Sequence, residues 1–158
     1  MIRPARLDEL DALTDLMHRS KAHWGYDEDF MQAARAVLVL TPKDVETGEL
    51  RVFDSDGPQG LCKLVVCEDG AELDKLFVAP EGMGKGVGRA LVTWAIDQAR
   101  AKGAKTMQIE ADPDAVPFYE RMGARVIGGV PSEAIAGRTL PLMQIDLSGL
   151  APDACGSI

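Results

Sequence analysis

Four glycines at alternate positions and two cations form the part of this chain best suited to bind a charged ligand. The run from Gly82 to Arg89 reads Gly-Met-Gly-Lys-Gly-Val-Gly-Arg, and it follows the apolar segment Leu76–Pro80. A helical pattern of apolar residues begins at Val87. A strand, a glycine loop and a helix in this order present backbone N–H groups and a helix N-terminus to an anion. The run therefore predicts a site for a phosphate-bearing ligand.

Two familiar phosphate-loop patterns do not fit this run. A P-loop requires G-x-x-x-x-G-K-[ST], but Gly84-Lys85 is followed by Gly86, and the fifth residue before Gly84 is Ala79. The dinucleotide pattern G-x-G-x-x-G fails because no starting glycine has a glycine at the last position. The remaining alternative is a turn that only connects a strand to a helix. Such a connection needs one or two glycines rather than four, so the run favours a ligand site.

The elements that position this loop follow from hydrophobic periodicity and turn residues. Strands are predicted over 2–5, 50–54, 60–68, 72–78, 106–111, 125–130 and 140–147. Helices are predicted over 7–22, 29–40 and 115–122, together with a long helix that starts at Val87 and ends at Gly103. Early hairpins combined with a βαβ crossover around the long helix predict an α/β fold with a mixed sheet. We expect one domain over 1–149 and a frayed tail over 150–158.

Composition restricts the class of protein. The chain has 158 residues, 46% of them hydrophobic, and a formal charge of −8, which argues against a general nucleic-acid role and modestly favours a cationic partner. The first residues contain no signal-peptide pattern, and no apolar run approaches a membrane span. Cys62, Cys67 and Cys155 lack disulfide or metal spacing, and His18 and His23 suggest no metal site. These features predict a cytosolic protein without a metal. Cys62 and Cys67 should point to opposite faces of one strand.

Two sequence blocks, separated by a predicted helix and strand, carry a family resemblance. The first is Val78-Ala79-Pro80 followed by the run from Met83 to Gly88, and the second is DPDAVPFYERMGA from Asp112 to Ala124. Together they resemble the GNAT superfamily of N-acetyltransferases, whose patterns are V-x-P, [QR]-x-x-G-x-[GA] and N-x-x-A-x-x-[FL]-Y-x-[KR]-x-G-[FA]. Met83 stands where Gln or Arg is usual, and Asp112 where Asn is usual. The first half of the chain agrees with the family in element order only.

The resemblance implies a GNAT-type fold, with a mostly antiparallel sheet, and acetyl-coenzyme A as cofactor. Backbone amides would surround the pyrophosphate at the positive end of the helix dipole; they belong to Gly84, Lys85, Gly86, Val87, Gly88 and Arg89. The backbone of Leu76, Phe77 and Val78 would pair with the pantetheine arm. Arg121 either meets the 3′-phosphate or is a solvated helix charge. The matched positions that complete the implied cofactor site are Met83, Asp112, Ala115, Phe118 and Tyr119.

The resemblance also implies transfer of acetyl to a primary amine by direct attack, through a tetrahedral intermediate. The Val78 N–H would polarise the thioester carbonyl. Tyr119 occupies the family position of the acid that protonates the thiolate, although it would also suit a half-buried aromatic. Glu72 is the first candidate for the general base and Asp74 the second, and strand alternation places both on one face with Leu76 and Val78. Their alternative role is that of ordinary strand-end charges.

The acceptor is left open by the sequence. Trp24 and Tyr26 lie in the break between the first two helices, where the family commonly walls the acceptor site, and aromatic rings there suit a cationic amine. Packing against the sheet edge is the alternative for both rings. The loop from Ser132 to Arg138 is a candidate for the other wall. The alternative functions are a non-catalytic acyl-coenzyme A sensor and a nucleotide-binding domain of another type, and the failed matches to the two phosphate-loop patterns disfavour the second. Family members are often dimers, so a homodimer is a further expectation.

Overall fold

A seven-stranded sheet runs through the protein, and the computed structural model describes residues 1–47 and 49–148. The strands are β1 (Ile2–Pro4), β2 (Glu49–Asp54), β3 (Pro58–Cys67), β4 (Gly70–Val78), β5 (Thr106–Glu110), β6 (Arg125–Pro131) and β7 (Thr139–Asp146). They lie in the order β1-β2-β3-β4-β5-β7-β6, and only β4 and β5 run parallel. The predicted mixed α/β fold with a mostly antiparallel sheet is therefore confirmed.

Five helices accompany the sheet in the described residues. They are α1 (Leu10–Ala22), α2 (Glu28–Val37), α3 (Pro42–Thr47), α4 (Val87–Ala101) and α5 (Val116–Arg121). The prediction that the second helix runs to residue 40 was wrong, because α2 ends at Val37, and α3 was missed. The start of α3 does carry a sequence signal, namely Thr41 followed by a proline and, three residues after Thr41, by Asp44. In the structure the Thr41 N–H donates to Asp44 Oδ2 at 2.8 Å, as expected for a helix start.

The core lies on both faces of the sheet. On one face, α4 and α5 pack their apolar sides against β3, β4, β5 and β7, with Leu91, Met107 and Met143 fully buried. On the other face, α1 packs against β3 and β4, and its residues Leu13, Leu16 and Met17 share one buried cluster with apolar residues of β2 and β3. The predicted opposite orientation of the two cysteines in β3 is confirmed, since Cys62 is buried and Cys67 is exposed. Cys155 and the predicted tail lie outside the described residues.

The two parallel strands separate soon after they begin. β4 and β5 pair only at Ala71 with Met107 and at Glu72 with Gln108. Beyond this point β5 stays paired with β7, and β4 stays paired with β3. The sheet therefore opens into a gap between the C-terminal halves of β4 and β5.

A β-bulge lies in β4 beside this gap. Lys63 of β3 pairs with Lys75, but the next residue, Leu64, pairs with Leu73, so Asp74 is an extra residue in β4. An extra residue reverses the alternation of side chains, so Leu73 and Leu76 both pack into the α4 face of the core. The prediction that Glu72 shares a face with Leu76 and Val78 was wrong, because Glu72 points to the opposite face.

Close packing of β3 against α4 leads to a stability prediction at Gly60. A Cβ added to Gly60 would lie 2.7 Å from Val87 Cγ1 and 3.1 Å from the Phe77 carbonyl oxygen. We expect Gly60→Ala to lower the free energy of unfolding by about 1–3 kcal/mol, because overpacking shifts the helix or the strand. Urea denaturation measures this change. The matched control is Gly128→Ala in β6, where a Cβ meets nothing within 4 Å. Equal stability of the two variants would contradict the packing described here.

Candidate active site

A cavity of about 860 Å³ occupies the gap between β4 and β5. It extends from the glycine loop before α4 to the region between α1, α2 and the loop that connects β6 to β7. The predicted site residues that line it are Trp24, Glu72, Asp74, Leu76, Phe77, Val78, Met83, Gly84, Gly86, Val87, Gly88, Arg89, Asp112, Ala115, Phe118, Tyr119 and Arg121. Two predicted residues, Tyr26 and Lys85, are not in this lining. The fold thus brings both sequence blocks and the region of the first helices around one space.

The glycine loop leaves open space at the start of α4. Gly84 and Gly86 have φ values of +76° and +84°, and a Cβ on either would meet nothing within 4 Å. The first backbone bond into the helix is the one from the Ala90 N–H to the Gly86 oxygen, 3.0 Å. The amides before Ala90 are the unpaired donors that every helix start presents. The Lys85 side chain is exposed and outside the cavity, so a contribution from Lys85 rests on its amide.

The edge of β4 that faces the gap carries backbone groups without a strand partner. The Ala79 N–H donates to the Gln59 oxygen at 2.9 Å, which makes Gln59 and Ala79 a hydrogen-bonded pair. The next pair, Gly60 and Val78, is then non-hydrogen-bonded, so the N–H and C=O of Val78 point away from β3. The same alternation turns the backbone groups of Leu76 toward the gap. β4 therefore offers an extended ligand a strand edge to pair with.

Tyr119 lies on the α4 side of the sheet, where it contributes a nearly buried ring to the cavity wall. Its ring is 6% exposed and meets the Phe118 ring edge-on at a centroid distance of 5.1 Å. Burial raises the pKa of the Tyr119 hydroxyl well above its ordinary value, and the nearby Cys62 and Asp112 add to the effect. The hydroxyl therefore keeps its proton at neutral pH, which is the protonation state that a general acid requires.

Glu72 and Asp74 differ in their surroundings. Burial raises the pKa of the Glu72 carboxyl, and the neighbouring carboxylates of Asp74, Glu110 and Glu133 raise it further. Asp74 is exposed, and its Oδ2 accepts a hydrogen bond from Lys75 Nζ at 2.9 Å. A carboxylate with a raised pKa takes up a proton more readily, so the environment favours Glu72 over Asp74 as a base.

Asp112 joins three segments of the chain at the end of the cavity near α1, α2 and the β6–β7 loop. Its Oδ2 accepts hydrogen bonds from Lys21 Nζ at 2.8 Å and from the Tyr26 hydroxyl at 2.7 Å. Arg138 Nη2 lies 3.8 Å from the same oxygen and 3.4 Å from the Tyr26 hydroxyl oxygen. Burial and the Asp112 carboxylate raise the pKa of Tyr26 to about 12. Tyr26 therefore supports the cavity wall through Asp112 instead of lining it.

Two residues of this region were missed by sequence reasoning. Lys21 and Phe30 are helical residues that line the cavity, whereas Arg138 belongs to the loop that position alone had suggested as a wall. Phe30 stacks on Tyr26 with a centroid distance of 3.9 Å and an interplanar angle of 15°. The four-residue spacing of Tyr26 and Phe30 across the start of α2 was a sequence signal that could have indicated their contact. The ion pair of Lys21 joins segments far apart in the chain, and such a pair leaves no pattern in the sequence.

Comparison with known proteins identifies the family. Residues 10–124 match the Acetyltransferase (GNAT) family, which covers most of the chain. The chain therefore belongs to the GNAT family of acetyltransferases, as the two sequence blocks predicted.

Relatives and solved structures agree with this assignment. A peptidyl-lysine N-acetyltransferase of Salmonella typhimurium, YjaB, is 34% identical over 94 residues, which cover 60% of each chain. The chain spans about three fifths of the length of the curated relatives it matches. In fold it resembles a GCN5-related N-acetyltransferase from Rhodopseudomonas palustris, with a TM-score of 0.76, 19% identity, and coverage of 93% and 95% of the two chains. It also resembles the PaiA N-acetyltransferase of Thermoplasma acidophilum in complex with coenzyme A, with a TM-score of 0.74, 17% identity, and coverage of 92% and 98%.

The described residues contain neither a membrane-spanning helix nor a metal-binding group of side chains. Among residues 1–47 and 49–148, no helix has the length and apolar character needed to cross a membrane. Over the same residues, no group of three or more His, Cys, Asp or Glu side chains is placed to hold a metal ion.

Proposed function

We propose that this chain transfers an acetyl group from acetyl-coenzyme A to a primary amine. The observation that supports this most strongly is the continuity of one cavity from the glycine loop at α4 to the open edge of β4. Open space at Gly84 and Gly86 suits a pyrophosphate beside the helix start, and the Leu76 and Val78 backbone suits an extended pantetheine arm. When bound, acetyl-coenzyme A supplies an activated acetyl thioester.

The two candidate proton-transfer groups approach the gap from opposite faces of the sheet. Tyr119 belongs to the α4 face, and Glu72 points to the face covered by α1. As the new C–N bond forms, Glu72 takes the proton of the amine through water, and the Val78 N–H hydrogen-bonds the carbonyl oxygen. As the C–S bond breaks, Tyr119 gives its proton to the departing sulfur. Proton exchange with solvent then returns Glu72 to its ionised form and Tyr119 to its protonated form.

Two measurements test this proposal. Isothermal titration should show binding of acetyl-coenzyme A, with ATP and NAD inert. A thiol-release assay with a panel of amino acids, polyamines and lysine peptides should then detect turnover of at least one amine. Preferred binding of ATP or NAD would contradict the assignment of the loop. Binding of acetyl-coenzyme A without turnover of any amine would instead support a non-catalytic sensor.

Loss of the Tyr119 hydroxyl provides a specific test of the acid. We expect Tyr119→Phe to lower kcat by roughly 100-fold with little change in the Kd for acetyl-coenzyme A, because the thiolate then leaves without a proton donor. The other tyrosine of the chain offers the matched comparison, since Tyr26→Phe also removes one hydroxyl. Steady-state kinetics of both variants should show the larger fall in kcat for Tyr119→Phe. An unchanged kcat would remove Tyr119 from the acid role.

A further inference from the structure

Two cations flank the Asp112 carboxylate at the proposed acceptor end of the cavity. Lys21, Asp112 and Arg138 all line the cavity, and their side chains are about four-fifths buried. The Asp112 carboxylate is matched closely by Lys21 Nζ at 2.8 Å, whereas Arg138 Nη2 stands 3.8 Å away. One carboxylate and two cations leave this trio, named here the Asp112 cluster, with a surplus of one positive charge. The neighbouring Asp114 also lines the cavity, and its backbone N–H donates to Asp112 Oδ1 at 3.0 Å.

Arg138 is held in place while most of its guanidinium donors stay available. Its backbone oxygen accepts from the Ser132 N–H at 2.8 Å, and its own N–H donates to the Ile135 oxygen at 3.2 Å, which makes the loop compact. The guanidinium carbon lies 4.8 Å from the centre of the Phe30 ring. Within the described part of the chain, Nε and Nη1 of Arg138 donate to no protein acceptor. A fixed guanidinium with free donors in a cavity is suited to a planar anion.

Three carboxylates of the same cavity form no ion pair with the described residues. Glu72, Glu110 and Glu133 all line it, and among residues 1–47 and 49–148 none of the three forms an ion pair. Glu72 and Gln108 are paired across β4 and β5, and Glu110 lies two residues further along the same face of β5. The cavity therefore holds an acidic region around the candidate base and a cationic region at the Asp112 cluster.

From this arrangement we infer that the acceptor is a small amine that also carries a carboxylate, whose carboxylate binds Arg138 while its amine lies beside Glu72. This inference rests on the proposed acetyl transfer. A polyamine would place a second ammonium group against the surplus positive charge of the Asp112 cluster, which disfavours it. An amino carboxylate instead meets opposite charges at both ends.

Matched pairs of acceptors test the inference directly. Initial rates of thiol release are measured with the full-length protein and saturating acetyl-coenzyme A, for α- and ω-amino acids and for the corresponding carboxamides. We expect the best amino acid to exceed its carboxamide in kcat/KM by roughly 10- to 100-fold, because a charge-assisted pair is lost in the carboxamide. The amino group of an α-amino acid carboxamide is a weaker base than that of the amino acid, so a larger fraction of it is neutral and able to attack. This difference favours the carboxamide, so it cannot produce the expected preference for the amino acid.

Variants of Arg138 connect this preference to the side chain. Arg138→Gln should bring the ratio of the two kcat/KM values close to one. Arg138→Lys should restore part of the preference for the amino acid, because lysine returns the positive charge but not the paired N–H donors of the guanidinium group. Arg125→Gln is the matched control, since Arg125 is exposed on β6 outside the cavity and its loss should leave the ratio unchanged. Thermal unfolding and the Kd for acetyl-coenzyme A verify that each variant is folded.

The outcomes distinguish this inference from the function on which it rests. A preference for carboxamides, polyamines or lysine peptides in the unmodified protein would overturn the inference and leave acetyl transfer intact. An unchanged ratio in Arg138→Gln would do the same. Absence of turnover with every amine, with acetyl-coenzyme A bound, would contradict the proposed function and this inference together.

Discussion

Replacement of Gly86 by valine should weaken acetyl-coenzyme A binding by roughly 10- to 100-fold. Gly86 has a φ of +84°, a conformation that a β-branched residue adopts only with strain. A Cβ there meets no protein atom, so the isopropyl group would occupy the open space in which we place the pyrophosphate. Isothermal titration of the purified variant measures the loss.

The opposite end of the same helix supplies the control for Gly86→Val. Gly103 has a φ of +85°, and a Cβ there also meets nothing within 4 Å, but Gly103 is not part of the cavity lining. Gly103→Val should therefore lower the Tm to a similar extent and leave the affinity for acetyl-coenzyme A unchanged. If both variants bind with the affinity of the unmodified protein, the glycine loop does not hold the cofactor.

Replacement of Glu72 by glutamine should lower kcat by roughly 100- to 10,000-fold with the preferred amine. The base must be ionised to accept a proton, so the activity of the unmodified protein should fall as the pH drops through the Glu72 pKa. Because burial and neighbouring carboxylates raise the Glu72 pKa, this fall should begin above the usual range of a glutamate. A pH profile of kcat/KM locates it, and Glu72→Gln should remove this limb of the profile.

Asp74→Asn is the competing variant for the base. Asp74 is exposed and paired with Lys75, so its loss should cost much less activity than the loss of Glu72. The raised pKa also means that ionised Glu72 lowers the stability of the folded state, an effect that increases as the pH rises through the pKa. Glu72→Gln should therefore not reduce the Tm at neutral pH. A larger fall in kcat for Asp74→Asn would transfer the assignment to Asp74.

Local patterns in the sequence predicted much of the fold and the two sequence blocks whose residues line the cavity. The glycine run before Val87 and the block from Asp112 to Ala124 gave the family, and periodicity gave the strand and helix order apart from α3. These features depend on neighbouring residues, so a single chain reveals them. The bulge at Asp74 escaped prediction because one extra residue in a strand changes neither its composition nor its length enough to be noticed.

The acceptor end was predicted least well, for a related physical reason. Lys21, Asp112 and Arg138 are separated by 91 and 26 residues, and only the packing of α1 and the β6–β7 loop brings them together. A cation on a helix or in a loop looks like a solvated charge until its partner is known. The matched family segment ends at residue 124, so it does not include Arg138.

The extra residue in β4 also has a consequence for how a site of this kind can change. Because the bulge puts Glu72 and the Val78 side chain on opposite faces, the donor and acceptor halves of the proposed reaction would depend on separate sets of packing contacts. Substitutions in α1, α2 or the β6–β7 loop change one set without repacking α4 and α5. The reaction can thus stay the same while the acceptor substrate changes. The single extra residue in β4 makes this separation possible.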